Sequence, residues 1–265
     1  MEIEGYSRYT LSLIYGISRL VPLYCLAILL SSSLWGNDIP FKPGEKLEYK
    51  LKWGFFPVGS AVLEVLPMKW EGNESFYHLS FRVRTNSFAD KIYRVRTEIE
   101  SVVSSDFSRS ISYQKKQREG RTQKDILVEF DYQKKRASYQ EKGKNKLYLD
   151  IPNKVFDPLS IAYFFRIGSL TSGATRSLPT CDGKKIQHIV VKTSKREKIK
   201  VPAGSFYAIG TVPEMKNLSG VFKKSPDGIL QVWYSADPAK IPVKISSKVV
   251  IGSFTASLER KTQAK

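Results

Sequence analysis

From position 47 to 53 the chain alternates: Leu47, Tyr49, Leu51 and Trp53 are apolar, and Glu48, Lys50 and Lys52 between them are charged. A period of two marks a half-buried strand, because successive side chains leave opposite faces of the backbone. Ala61, Leu63 and Val65 resume the pattern, so residues 41–67 predict a β-hairpin. Its connection, 54–59, contains Phe55, Phe56, Pro57 and Val58 and reads as a broad loop carrying apolar side chains. Folded against the sheet or a helix, these side chains anchor the hairpin. Exposed at the rim of a cavity, they are the first residues a ligand meets.

The same alternation recurs along the chain. Residues 77–85 and 93–100 place Arg82, Arg84, Arg94 and Arg96 on outer faces opposite Phe81, Val83, Tyr93 and Val95. Strands are predicted over 110–117, 125–132, 137–140 and 146–149, with polar or glycine-bearing turns at 118–122 and 141–145. Further strands follow at 175–179, 187–192, 197–201, 206–212, 230–235, 242–250 and 254–258, with a basic loop over 217–228. Residues 88–92 read as a short turn. Regular short strands with tight turns argue for a mainly β protein: a curved antiparallel sheet forming an open barrel or a sandwich-like domain.

One segment breaks the rhythm. Asp157 at an N-cap, Pro158 at the first helical position and Gly168 after the end predict one short helix over 157–168, near the middle of the chain. Leu159, Ala162 and Tyr163 share one face, and Ile161, Phe164 and Phe165 the other. A helix apolar on both sides is buried on both sides, across a concave sheet, in a barrel mouth or as a plug in the core.

The amino-terminal stretch has a different character. Arg8 and Arg19 precede an apolar run at 20–30, followed by Ser31, Ser32 and Ser33. A basic start, an apolar core of about ten residues and a small-residue exit describe a secretory signal over 1–36, with an uncleaved anchor as the alternative. Cys25 lies inside the apolar run after Tyr24, which does not suit a lipid-attachment site. Residues 37–265 then form a single β domain. Export places it in the periplasm or at the outer envelope.

Composition sharpens this. The 265 residues include 43 basic and 25 acidic side chains, a net charge of +18. Glu2, Glu4, Arg8 and Arg19 cancel within the signal, so the surplus belongs to the exported part and attracts anions. Clusters such as Lys134-Lys135-Arg136 and Lys195-Arg196 would suggest nucleic acid inside a cell. Export excludes that partner and points to an envelope lipid, lipopolysaccharide or an acidic polymer. Solvated strand faces that discourage edge pairing explain part of the lysine content. Chemistry has few candidates. Two isolated histidines, His78 and His188, and Cys181 make no metal cluster, and Cys181 reads as a structural thiol. Glu98 and Glu100 share a strand face beside Arg94 and Arg96, as a charge-paired surface does. No catalytic residue, metal ligand or cofactor is predicted.

Several pieces coincide in order: the opening Pro43-Gly44-Glu45-Lys46-Leu47, then Trp53-Gly54 and Pro57-Val58-Gly59-Ser60-Ala61, Asp157-Pro158-Leu159-Ser160 with Arg166, Val201-Pro202-Ala203-Gly204-Ser205-Phe206, and Val232-Trp233-Tyr234-Ser235 with Ile241-Pro242-Val243. Together they resemble the bacterial exported proteins grouped as domain of unknown function 3108. The resemblance covers nearly all of the chain after the signal. It implies an envelope protein of Gram-negative-type bacteria built on a curved antiparallel sheet or open barrel, and it implies no activity.

The expectation is therefore a non-enzymatic envelope protein binding a lipidic or anionic component. Tyr49, Trp53, Phe55, Phe56, Phe81, Tyr93 and Trp233 are the candidate apolar contacts and Arg166 the candidate charged one. Their spacing fits an ordinary core as well. The alternatives are a scaffold engaging another envelope protein through a sheet edge or the basic face, and a hydrolase. An open apolar cavity of about 300 Å³ or more would favour the ligand reading, and a sealed core would leave the scaffold.

Overall fold

A computed structural model describes residues 39–214, 229–249 and 252–263 of the chain. The amino-terminal segment 1–36 and the basic loop expected at 217–228 lie outside the described residues. The chain opens with β1 (Lys46–Trp53), β2 (Phe56–Glu71), β3 (Glu74–Thr85), helix α1 (Ser87–Asp90) and β4 (Val95–Ser104). It continues with β5 (Ser110–Glu119), β6 (Thr122–Asp131), β7 (Arg136–Glu141), β8 (Leu147–Asp150) and helix α2 (Ser160–Phe164). Six strands close it: β9 (Thr175–Cys181), β10 (Ile186–Val201), β11 (Gly204–Pro213), β12 (Ile229–Ser235), β13 (Pro242–Val249) and β14 (Gly252–Thr262).

These strands form one antiparallel sheet in the order β8-β7-β6-β5-β4-β3-β2-β1-β14-β13-β12-β11-β10-β9. Neighbours in sequence are neighbours in space, and β1 pairs with β14 to join the two ends of the domain. The register explains the alternation: Leu47 faces Leu63, Leu63 faces Phe81, and Tyr49 lies between Ala61 and Leu258. Apolar positions thus stack across strands on one face. The sheet is not closed. β8 and β9 are its two edges, and residues 151–174, with α2, run between them.

That connecting segment fills the inner face. Phe41, Phe107 and Tyr163 meet edge to face at ring separations of 5.2 Å (Phe41–Phe107) and 5.0 Å (Phe41–Tyr163), the arrangement aromatic quadrupoles favour. Phe156, Leu159, Phe165 and Ile167 join the same core. Phe156 also forms a parallel bridge with Thr180 of β9, donating to Pro179 O at 3.0 Å and accepting from Cys181 N at 2.8 Å. Cys181 is buried, and burial pushes its thiol pKa up to about 11. It is the structural thiol the sequence suggests.

Five expectations change. The hairpin connection is two residues, Gly54-Phe55, because Trp53 pairs with Phe56 and Gly54 takes φ +56°. Glycine reaches that left-handed region without the penalty of a Cβ, so the broad loop over 54–59 is strand from Phe56 onward. Residues 187–192 and 197–201 are one strand, β10, kinked by a bulge between Thr193 and Arg196. A second helix, α1, occupies the predicted turn at 88–92, capped by Asn86, whose Oδ1 accepts from Ala89 N at 2.9 Å. Tyr93 precedes β4 and is exposed. The helix predicted over 157–168 is regular only at Ser160–Phe164. Flanking turns such as Arg166 N to Tyr163 O at 2.9 Å continue it in tighter form.

The seam between the two edges is held partly by charge. Lys184, in the β9–β10 turn, lies 3.6 Å from the Glu141 carboxylate on β7 and 4.6 Å over the Tyr139 ring. Glu141 also accepts from Lys144 Nζ at 2.5 Å and from Tyr139 OH at 2.8 Å. These bonds, Lys144 foremost, lower its pKa from 4.5 to about 2 against the opposing effect of burial. A depressed carboxylate pKa stabilises the fold fully above the unfolded value, and the contribution is lost as pH falls through the folded one. The urea midpoint of the wild type is expected to drop between about pH 5 and pH 2. Glu141→Gln, less stable at pH 7, is expected to show a shallower drop over that window. Parallel pH profiles for the two proteins would contradict the assignment.

Candidate functional site

Two buried polar clusters seat the segment between the edges. Asp157 has no solvent exposure, and its Oδ2 accepts from Ser101 Oγ at 2.5 Å and Ser110 Oγ at 2.6 Å, on β4 and β5. Its Oδ1 accepts from Leu159 N at 2.8 Å and Ser160 N at 3.0 Å. The N-cap position of α2 falls at Leu159, without a side-chain cap, so Asp157 closes the turn that leads into the helix and ties that turn to the sheet. Arg166, nine positions on, forms a two-pronged pair with Glu45: Nη1 to Oε1 at 2.5 Å and Nη2 to Oε2 at 2.8 Å. Its Nε and Nη2 also donate to Ala239 O. Its guanidinium lies 4.9 Å from the Phe41 ring and 5.6 Å from that of Tyr163. Burial alone would lower the Arg166 pKa, and the Glu45 hydrogen bonds and charge outweigh it, so the group stays ionised with its pKa raised. The Tyr163 hydroxyl, buried beside this pair, has no hydrogen-bond partner among the described residues.

Against this segment lies a cavity of about 240 Å³. One wall is Pro158, Ile161, Ala162 and Phe165, on and around α2. The other is the inner face of β10 to β12: Ile189, Val191, Val232 and Tyr234, with Leu230 and Pro213. Its polar groups come from Thr180, Asp182, Gln187 and Thr211. Tyr234 holds the two walls in register by donating to Ala162 O at 3.0 Å. The alternation of β10 and β12 dictates which of their residues face inward, and the two-sided apolar character of α2 supplies the opposing surface. Gln187 accepts from Lys185 Nζ at 2.9 Å, which brings a cation to the lining.

None of the eight residues picked out by sequence lines this cavity. Tyr49 is buried and donates its hydroxyl to Pro242 O at 2.8 Å, and Arg166 is fully committed to Glu45 and Ala239, so neither offers a spare polar group to a ligand. Phe81 is half-buried against the core. Trp233 is buried, its Nε1 donates to Glu197 at 2.7 Å and Lys244 sits over its ring. Trp53, Phe55, Phe56 and Tyr93 are exposed at one end of the sheet. The sequence signal that could have found the cavity is the pairing of Ile189 and Val191 with Val232 and Tyr234 on a shared face. It needs the knowledge that α2 packs there.

The basic side chains form larger, polar grooves. One of about 680 Å³ runs from the end of β2 across to β8, with Lys69, Lys134, Arg136, Lys146 and Tyr148. Another of about 500 Å³ includes Lys50, Arg84 and Arg96. Many of these cations already have acids: Arg82 meets Glu64 at 2.8 Å, Arg96 meets Asp90 at 2.6 Å, and Arg260 pairs with Glu48. Arg96 and then Thr85 hold the Asp90 carboxyl below its ordinary pKa. Of the two carboxylates noticed in the sequence, Glu100 lies with its Oε2 2.9 Å from His78 Nε2.

The architecture is that of an open β-barrel-like protein with a plugged interior and a small apolar cavity beside the plug. The chain belongs to the family described as protein of unknown function DUF3108, which matches residues 48–259. Among solved structures, a Brucella abortus protein described as β-barrel-like and belonging to domain of unknown function DUF1849 aligns with a TM-score of 0.55 and 9% identity, over 83% of this chain and 98% of that one. At that identity the likeness is one of fold. A candidate exported protein with a YmcC-like fold from Bacteroides fragilis aligns at a TM-score of 0.38 and 11% identity, over 85% and 98% of the two chains. A candidate lipoprotein from Parabacteroides distasonis aligns at 0.35 and 12%, over 83% and 96%. No curated protein matches the chain.

Proposed function

We propose that this is an exported, non-enzymatic envelope protein that holds the apolar part of a lipidic molecule in the cavity between α2 and strands β10 to β12. The observation that carries the reading is that cavity: about 240 Å³, open at one side, walled by Ile161, Phe165, Ile189, Val191 and Val232. The volume is below the roughly 300 Å³ at which pockets for whole small molecules begin. It therefore suits one end of an apolar chain, the remainder projecting through the mouth. Lys185, joined to Gln187 of the lining, would meet an anionic headgroup, whether of a phospholipid, lipopolysaccharide or an acidic polymer bearing an acyl group. Export rests on the basic and apolar pattern of residues 1–36 and places the protein in the periplasm or at the outer envelope.

The non-enzymatic part rests on access. The most concentrated polar cluster, Asp157 with Ser101, Ser110 and Ser160, has no solvent exposure and spends its oxygens on the backbone and on one another. A substrate cannot reach it without unfolding the segment it anchors. The scaffold alternative has one feature in its favour, the edge strand β8 with Leu147 and Tyr148 exposed. Its length of four residues limits the strand addition it could support.

The test is mass spectrometry of lipid retained by protein gently extracted from its native envelope, paired with titration of a fluorescent fatty acid. Retained lipid and saturable binding are expected. Ile161→Trp, which fills the cavity from a half-buried position, is expected to weaken the probe at least about tenfold. No lipid and no probe binding would leave the scaffold reading in its place.

A further inference from the structure

The apolar residues exposed on this protein are not scattered. Trp53, Phe55 and Phe56 crown the β1–β2 turn, and Phe88, Ile92 and Tyr93 stand on and after α1, with Phe55 94% and Ile92 66% exposed. The two groups are physically joined. Asn86, which caps α1, donates from Nδ2 to Pro57 O at 2.8 Å and from its backbone to Val58 O at 2.9 Å. On one flank the Trp53 ring stacks on Phe254 at 6.2 Å and 11°. On the other, the Tyr93 ring covers the β5–β6 turn so closely that a Cβ on Gly120 would lie 2.5 Å from it. A continuous aromatic rim follows, at the sheet end where β1 stops, β4 begins and β5 turns into β6. The exposed Trp70 lies away from this end, at the β2–β3 turn.

Helix α1 is oriented against the usual rule. Ala89 is its buried residue, while Phe88 and the following Ile92 face outward. A water-facing helix would show the reverse. Cations flank the rim: Lys52 beside Trp53, Lys91 beside Ile92 and Arg94 beside Tyr93, all three exposed and without an acid at ion-pair distance among the described residues. The one carboxylate in α1, Asp90, is already taken by Arg96 at 2.6 Å. Large aromatic and branched side chains at turn tips, with exposed Lys and Arg immediately behind them, match the two layers of an anionic lipid surface. The rings reach the acyl boundary and the cations meet the headgroup charge.

We propose that this rim docks the protein, end on, against the surface of an anionic lipid leaflet. The inference rests on other residues than the cavity reading and stands or falls apart from it. The two sites do share an end of the sheet. Trp53 pairs with Phe254, Phe254 with Ser247 and Ser247 with Leu230, which lines the cavity. A protein docked in this way would present its cavity end toward the lipid.

Among the described residues, the strands, the two helices and the buried core lie at or beyond Phe41, within one compact unit starting at Ile39, so the chain from residue 37 onward is the protein to test. The probe is sedimentation with phosphatidylcholine vesicles, with and without about 30 mol% phosphatidylglycerol. Binding to the anionic vesicles is expected, weakened at about 0.5 M salt. Phe55→Ser with Phe56→Ser, Phe88→Ser and Ile92→Ser is expected to reduce binding at least about tenfold. Lys52→Glu with Lys91→Glu should reduce it about fivefold per site or more. These side chains are solvent-facing, so thermal midpoints should stay near that of the wild type. The rim substitutions should leave the fluorescent fatty-acid titration unchanged, because none of these residues lines the cavity, which separates this surface from it. Wild-type protein that ignores anionic vesicles, or rim variants that bind as well as wild type, would overturn the proposal. So would a dimer that the rim substitutions dissolve, which would assign the rim to a second copy.

Discussion

Replacing Arg166 with methionine is expected to destabilise the fold by about 3–5 kcal/mol, the loss typical of breaking a buried ion pair from one side. The Arg166 and Glu45 side chains are 0% and 1% exposed, so the orphaned carboxylate would have no water to turn to. For a domain of this size the loss corresponds to a fall in melting temperature on the order of 10 °C. Arg166→Met combined with Glu45→Leu is expected to recover most of it, because removing both charges also removes the desolvation penalty. A residual deficit should persist, since Ala239 O loses the donors at 3.2 and 3.1 Å. The single variant should weaken fatty-acid binding too. Arg166 follows Phe165 of the cavity wall, and the pair fixes that wall to the start of β1, 121 positions away. A single variant as stable as wild type would show that aromatic packing around Phe41 and Tyr163 holds the segment without the ion pair.

That pair shows where sequence reading stops. Arg166 was visible as a charge in the last turn of an apolar helix, and Glu45 as part of the opening Pro43-Gly44-Glu45, but nothing local connects them. The sheet itself was largely legible, because a strand buried on one face must alternate and Leu47, Leu63 and Phe81 do so in register. Lost detail lies where backbone geometry, not burial, sets the outcome. The bulge at Thr193–Arg196 interrupts the alternation of β10 exactly as a turn would, so one strand read as two. Asp157, Pro158 and Gly168 punctuate both ends of α2, yet tighter turns replace regular helix where the segment is drawn onto Ser101 and Ser110. The site was less legible than the fold. Aromatic residues attract attention for their size, but Tyr49 gives its hydroxyl to Pro242 O and Trp233 its ring nitrogen to Glu197. Ile189, Val191 and Val232 form the cavity because of what packs opposite them, which is a property of the tertiary arrangement. Phe55 and Phe56 were recognised as unusual, and the structure separates them from Val58, which is buried while they stand in solvent.

Gly59 of the Pro57-Val58-Gly59-Ser60-Ala61 motif carries the second large effect. It lies in β2 between Leu51 and Thr85. A Cβ there would fall 2.2 Å from Arg84 O and 2.9 Å from Thr85 Cα. Both are backbone atoms, so no rotamer change relieves the overlap and the β2–β3 ladder itself must open. Gly59→Ala is therefore expected to lose about 3 kcal/mol, at the upper end of overpacking effects. Gly54→Ala makes the informative comparison. Its φ of +56° strains any Cβ, but nothing lies within 4 Å. The expected loss is about 1–2 kcal/mol from conformation alone. Urea unfolding of the two variants should rank them in that order. The location of Gly59 adds a functional consequence, because Val58 O receives the Asn86 amide that positions α1. Opening the ladder at Gly59 should displace Phe88 and Ile92 from Phe55 and Phe56, weakening vesicle binding in a variant that keeps every residue of the rim. If Gly59→Ala is less destabilising than Gly54→Ala, the close approach of β2 and β3 is not what this glycine provides.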